Sequence, residues 1–236
     1  MANFANYPGF LAEKDTFSLA SDFPNFATGT DGWTSLAADG GATVAVGDAR
    51  GGIVTLTTAA TDNNECMLRS TNELFLPAAG RPMFGRVRMS HVEAFTDDAN
   101  LFFGFASAAG INLMVDDAGG VRASGSIFGI YKIDGGTVWR CRSRNGTETT
   151  DTVSTSTAGG ATYQTLGVEI IDLSTLSVDI VYTLNGSRLK NADGYDIVHT
   201  LLIASSTEMN VVYGIKNGGA TLETLVADYC GGWQAR

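Results

Sequence analysis

One stretch of this chain, residues 176–184, constrains the fold more than any other: Leu176, Val178, Ile180, Tyr182 and Leu184 recur at every second position, with Ser177, Asp179 and Thr183 between them. A period of two sends alternate side chains to opposite faces of an extended backbone, so this is a half-buried β-strand. The period returns in Met209, Val211, Tyr213 and Ile215, in Leu166, Val168 and Ile170, in Val87 and Met89, and in Val54 and Leu56. None of these fits helical spacing. The nearest candidate for a helix, residues 108–117, offers one short turn of it.

The turn residues agree. Asn145-Gly146 and Asn185-Gly186 supply the positive φ angles that tight hairpins require. Asp134-Gly135-Gly136 and Asn217-Gly218-Gly219 mark two more reversals, which predicts a three-strand meander over 126–153 and a hairpin over 208–230. With 29 Gly, only 4 Pro and many Thr and Val, the chain reads as all-β, a two-sheet antiparallel sandwich.

A length of 236 residues suits one such domain, assigned to 27–236. Residues 1–26 differ: Phe4, Tyr7, Phe10, Phe17, Phe23 and Phe26 lie without period among Asn, Pro and Gly, as in an irregular N-terminal arm ordered by what it packs against. Residues 147–162 are rich in Thr, Ser and Gly and predict an exposed strand and loop.

Charge and composition exclude several classes of function. Fifteen Lys and Arg against 25 Asp and Glu give a net charge of −10, which repels phosphate backbones, so no nucleic acid partner is expected. The opening 15 residues lack the basic and apolar regions of a secretion signal. No run approaches the ~18 apolar residues of a membrane helix. Synthesis in a cytoplasm and no membrane partner are the expectation. Cys66, Cys141 and Cys230 are far apart without CxxC spacing, and they read as buried apolar residues.

Catalytic chemistry finds few candidates. The chain has two histidines, His91 and His199, each beside an apolar alternation and read as structural, and it has no GxSxG elbow. Glycosidases set two carboxylates toward one sugar, whereas Glu169 and Asp172 are three apart on a strand and face opposite ways. GxxxxGK and GxGxxG loops are absent. Asp97, Asp98 and Asn100, and Asp116 with Asp117, are oxygen-rich but lack EF-hand spacing and read as turn residues. Asn145 and Asn185 also begin glycosylation sequons, yet their turn role accounts for them. No cofactor or metal is expected.

One feature runs against the acidic balance. Arg140, Arg142 and Arg144 alternate with Trp139, Cys141 and Ser143, placing three guanidinium groups on one strand face. At ~6 to 7 Å spacing they repel one another and need carboxylates nearby, either from adjacent strands or from the acidic surface of a partner. Arg86 and Arg88 form a second pair of this kind.

The segment from Thr221 to Tyr229 (TLETLVADY), followed by Trp233-Gln234, resembles the last strand of concanavalin A-like jelly rolls. Tyr163 to Ile170, then Val178 to Gly186, is similar to that fold's paired strands closed by an Asn-Gly turn. Arg86 to Ser90 with Ala99 to Ala106 resembles an earlier pair, and Phe128 to Trp139 resembles a central strand of tailed-phage virion proteins of this fold. The resemblance implies a capsid decoration or cement protein on the virion surface, homo-oligomeric as a dimer or trimer, with the major capsid protein as partner and no enzymatic activity. Phe4, Tyr7 and Phe10, with Arg140, Arg142 and Arg144, would then contact the capsid or a sister subunit. The alternative reading is a carbohydrate-binding, lectin-like module of a tail fibre or receptor-binding protein, with Trp33, Trp139 or Trp233 stacking on a sugar ring. A hydrolase with an unrecognised site ranks third.

Overall fold

A computed structural model describes residues 16–21, 32–37, 40–47, 52–92, 98–172, 174, 176–202 and 207–235. Among them are sixteen strands and no helix. One sheet runs β13 (Ser187–Arg188), β12 (Ser177–Leu184), β11 (Gly160–Asp172), β6 (Met83–Val92), β16 (Thr224–Ala235), β4 (Ile53–Thr57) and β3 (Thr43–Gly47). Two more strands make it nine: β14 (Val198–Leu202) beside β12, and β1 (Thr16–Ser21) beside β16. The second, seven-stranded sheet runs β10 (Thr149–Thr157), β9 (Val138–Asn145), β8 (Ser126–Lys132), β7 (Ala99–Ala106), β15 (Asn210–Asn217), β5 (Glu65–Ser70) and β2 (Trp33–Ala37). All pairings are antiparallel.

The alternating positions fill the space between the sheets. Val87, Met89, Leu166, Val168, Ile170, Val178, Ile180 and Tyr182 descend from the larger sheet to meet Phe103, Phe105, Trp139, Val211, Tyr213 and Ile215 from the smaller. Leu176 departs from its expected place: it is 66% exposed and precedes β12, so the alternation enters the core at Val178. The chain is still turning there, because Ser174 Oγ accepts the amides of Leu176 and Ser177, each at 3.1 Å.

The predicted meander is present as β8, β9 and β10, consecutive neighbours in one sheet. Asn185-Gly186 makes the expected two-residue turn, with φ of 52° and 82°. At Asn145-Gly146 the connection is longer, running to Thr149, and the Asn145 side chain builds it by accepting the amides of Thr147 (3.1 Å) and Glu148 (2.8 Å). Residues 108–117 are not helical; they belong to an irregular segment with an isolated bridge between Met114 and Val121.

Two predicted pairings are corrected. Residues 208–230 do not form a hairpin, since β15 lies in the smaller sheet and β16 in the larger. The same holds for β6 and β7, read as a pair from the sequence. The cause at the first site is a long-range anchor: Asn217 Nδ2 donates to the carbonyls of Ala59 (2.6 Å) and Thr61 (2.9 Å). That stretch is itself a crossover, from β4 to β5. Thr58 N donates to Glu223 O at 3.0 Å and Thr58 Oγ1 accepts the Glu223 amide at 2.8 Å, so the two crossovers are bonded side by side. Within the stretch read as an arm, β1 joins the sheet against β16; Phe4, Tyr7 and Phe10 lie outside the described residues.

His199 is buried, as its structural reading required. Its Nδ1 hydrogen-bonds with Ser143 Oγ (3.0 Å) and Tyr182 OH (3.1 Å), and its Nε2 with Thr152 Oγ1 (2.9 Å), which ties β14 to β9, β10 and β12. Burial lowers the imidazole pKa from 6.5 to about 4. The unfolded chain therefore takes up a proton between those values that the folded chain refuses, and stability falls as pH drops through that window. The loss attributable to His199 is about 3 kcal/mol, fully present near pH 4 and absent above pH 7. Urea titrations at pH 7.5 and pH 4.5 check this: His199→Gln should show a smaller drop than the parent, and an identical drop would exclude His199 as the cause.

Candidate binding surface

The outer face of the seven-stranded sheet carries Met67, Phe102, Ile127, Tyr131 and Val212, all buried. Gly129 makes room for Phe102, since a Cβ there would stand 2.5 Å from the ring. Residues 107–125, between β7 and β8, fold across this face as a strap and lay Ala109, Leu113, Met114 and Val121 on it. Polar bonds fix the strap's path. Glu65, buried, accepts the Asn112 amide at 2.6 Å, and Lys216 donates to the Met114 carbonyl at 3.0 Å and ion-pairs with Asp116. Glu65 and Lys216 are register partners on β5 and β15, so opposite charges are buried side by side beneath the strap. The centre of this face, over β5, β15, β7 and β8, is covered by the chain itself.

The arginine stripe of β9 lies on the same face, and only part of it meets a carboxylate. Arg142 binds Asp151 on β10 through Nε (2.7 Å) and Nη2 (2.6 Å), and it donates to the Val121 carbonyl of the strap. Tyr131 OH donates to the same carboxylate at 2.7 Å; burial, and next the Asp151 acceptor, push the phenol pKa up. Arg144 turns to neutral oxygens, Thr149 Oγ1 at 2.6 Å and the Gly146 carbonyl. Arg140 stands in register between Tyr131 and Val153. The pairing expected from adjacent strands thus occurs at Arg142, where it also holds the strap.

Of the three tryptophans offered as sugar-stacking residues, Trp33 and Trp139 are fully buried, and Trp139 Nε1 donates to Gln164 Oε1 at 3.0 Å across the sandwich. They are core residues, and Trp233 alone is partly exposed. Cys66, Cys141 and Cys230 are buried free thiols, and burial pushes the Cys66 pKa up to about 12. His91 is buried, with Nδ1 hydrogen-bonded to the Thr224 carbonyl at 3.0 Å. Asp117 exchanges hydrogen bonds with Asn63 at 3.4 Å, in a turn role.

The nine-stranded sheet presents its outer face differently. Three cross-strand rows run from β11 through β6 to β16: Thr165, Arg88 and Tyr229; Gly167, Arg86 and Gly231; Glu169, Phe84 and Trp233. Glycines flank Arg86 in the middle row, with the Thr183 hydroxyl over Gly167, and a depression of about 300 Å³ opens beside it, lined by Arg86, Arg88, Thr165 and Tyr229. The Arg88 guanidinium sits 4.2 Å over the Tyr163 ring and is ion-paired with Asp228. Tyr229 stacks on Trp233 with centroids 6.0 Å apart, and Trp233 on Phe84 at 5.2 Å. A register shift between Ala227 and Tyr229 produces this arrangement: the extra residue, Asp228, turns aside to meet Arg88, and Tyr229 comes opposite Arg88. Alternation had picked out Arg86 and Arg88; Tyr163, Thr165 and Tyr229 join them only through register.

No protein-family model matches the sequence, and no curated protein matches it. Solved structures do match in fold. An endo-1,3-beta-glucanase from Streptomyces sioyaensis superposes with a TM-score of 0.59 at 12% identity, over 94% of this chain and 98% of that one. The carbohydrate recognition domain of Emp47p gives 0.58 at 11%, over 94% and 97%. Peanut lectin gives 0.55 at 12%, over 94% and 98%. The fold is therefore the concanavalin A-like, legume lectin-like jelly roll, as the sequence segments implied.

Removing the carboxylate beneath the strap should loosen it. Glu65→Ala is expected to raise amide exchange at Asn112 and Met114 by more than tenfold and to cost about 3 kcal/mol, because Lys216 loses its buried counter-charge. Hydrogen exchange resolved by residue checks this; unchanged rates would mean that apolar contacts and the bonds from Lys216 and Arg142 hold the strap without Glu65.

Proposed function

We propose that this chain is a carbohydrate-binding, lectin-like module without catalytic activity, and that it takes a sugar ring in the depression on the outer face of the nine-stranded sheet. The observation that carries the reading is the pairing of an aromatic wall, Tyr229, with guanidinium donors from Arg86 and Arg88 in an open hollow. A sugar ring offers an apolar face of C–H groups and a rim of hydroxyls, and a site that binds it needs one aromatic surface and a few directed donors.

The fold supports the reading in general terms, since several structural neighbours are lectins or carbohydrate recognition domains. Others are a glucanase and a glucuronan lyase, and the non-catalytic assignment rests on this chain's own residues. The residues described as lining the hollow, Arg86, Arg88, Thr165 and Tyr229, include no carboxylate, and Asp228 beside it is engaged by Arg88, so an opposed acid and base of the kind glycoside hydrolysis needs is not found among them. The strap occupies the centre of the other broad face. The capsid-decoration reading rests on sequence resemblance alone, and the compared structures add nothing to it.

Tyr229→Ala tests the site. A glycan array on the parent should identify ligands bound at millimolar affinity or tighter, and the variant should lose at least tenfold in affinity for them with its melting temperature within a few degrees of the parent. Binding that survives the substitution would move the site elsewhere, and an array without hits would remove the reading.

A further inference from the structure

Two apolar side chains are buried where neither core accounts for them. Among the described residues, every other buried apolar side chain belongs to the cluster between the sheets or to the one beneath the strap; Phe84 (8% exposed) and Val181 (2%) belong to neither. We propose that residues 1–15 cross the outer face of the nine-stranded sheet of their own chain, and that Phe4, Tyr7 and Phe10 cover Val181 and Phe84. This inference is independent of the sugar assignment.

Three observations lead there. First, both side chains point outward and share one cross-strand row. Ile180 and Tyr182 enter the core, as do Met83 and Val87, so the alternate positions Val181 and Phe84 face the other way. The row runs Val198, Val181, Glu169, Phe84, Trp233 and Ser18, across β14, β12, β11, β6, β16 and β1. Trp233 shields one flank of Phe84, with ring centroids 5.2 Å apart. Val181 has only Glu169 and the 39% exposed Val198 beside it in the row, and a valine on an open sheet face keeps part of its surface in water. At 2% exposure a further group lies over it.

Second, the burial is that of a single chain, so the cover comes from the chain itself. Residues 1–15 lead into the sheet at Thr16, opposite Ala235 and two positions before Ser18 of the row. From Ser18 to Val181 is four strand spacings, about 19 Å, and fifteen extended residues span up to about 50 Å. Other segments are committed elsewhere: 22–31 and 203–206 lead into the smaller sheet, 38–39 and 48–51 flank β3 at the far edge, and 93–97 follows the far end of β6. Third, Phe4, Tyr7 and Phe10 are large apolar surfaces in a short stretch, and laying them on Val181 and Phe84 removes both partners from water. The covered row is next to that of Gly167, Arg86 and Gly231, so the arm borders the hollow.

Nuclear magnetic resonance of the full chain with labelled valine methyls tests the cover. The Val181 methyls are expected to show nuclear Overhauser contacts with ring protons of Phe4, Tyr7 or Phe10. Removal of residues 1–15, and separately the Tyr7→Ser/Phe10→Ser pair, should shift the Val181 signals and leave those of the core residues Val168 and Val211 in place. Trypsin supplies a rate: cleavage after Lys14 should run about tenfold faster in Val181→Ser than in the parent, because the cover opens more often. Val181 methyls without arm contacts, and unmoved by either change in the arm, overturn the inference. Equal cleavage of parent and variant overturns it too. In a mixture of labelled truncated chains with unlabelled full chains, contacts between the two would place the arm on a second copy and overturn the cover within one chain. The arm substitutions lie outside the sandwich, so they decide the point even if the truncated chain does not fold.

Discussion

The three central strands of the seven-stranded sheet bury both of their faces, and much of the molecule's asymmetry follows from that. β7, β8 and β15 have no exposed residue, and a bare outer surface of Met67, Phe102 and Val212 would leave a broad apolar patch in water. The strap removes that patch, but an irregular segment laid on a sheet brings its own amides and carbonyls out of water. Glu65 and Lys216 meet part of this need, and as register partners they also neutralise each other. Their burial is tolerable only with the strap in place.

Much of the architecture was legible in the sequence because one physical rule, alternation, is local. It located the inward faces of β6, β11, β12 and β15 residue by residue. What it missed is information that is not local. The Asn217-Gly218-Gly219 corner has the residues of a hairpin whether the chain reverses within a sheet or crosses to the other; the Asn217 bond to Ala59, 158 positions away, decides it. Residues 107–125 show no period because their partners lie on a sheet face formed by other segments. Tryptophan is a poor guide for a related reason: its size makes it useful both to a sugar and to a core, and here Trp33 and Trp139 are among the largest fully buried side chains.

The candidate site was legible by half. Arg86 and Arg88 stand out in an acidic chain, and spacing alone placed them on one face. Tyr163, Thr165 and Tyr229 come to them from β11 and β16, and the slip of one residue at Asp228 fixes which side chain of β16 faces which arginine. In the same way, the β9 arginines were expected to need carboxylates nearby, and their roles diverged: Arg142 meets Asp151 and fastens the strap, while Arg144 closes its own turn on neutral oxygens.

β16 lies in the interior of the larger sheet, with β6 on one side and β4 and β1 on the other. The strands β1, β3 and β4 on one side and β6 on the other therefore cannot meet directly; each side waits for the segment 224–235 to be made and to slot between them. Until then β3 and β4 have only each other, β1 has no strand to pair with, and β6 offers an open edge to any extended chain nearby. Assembly of this sheet is accordingly a late, long-range event, slower than that of the β8 to β10 meander, whose strands are joined by short turns.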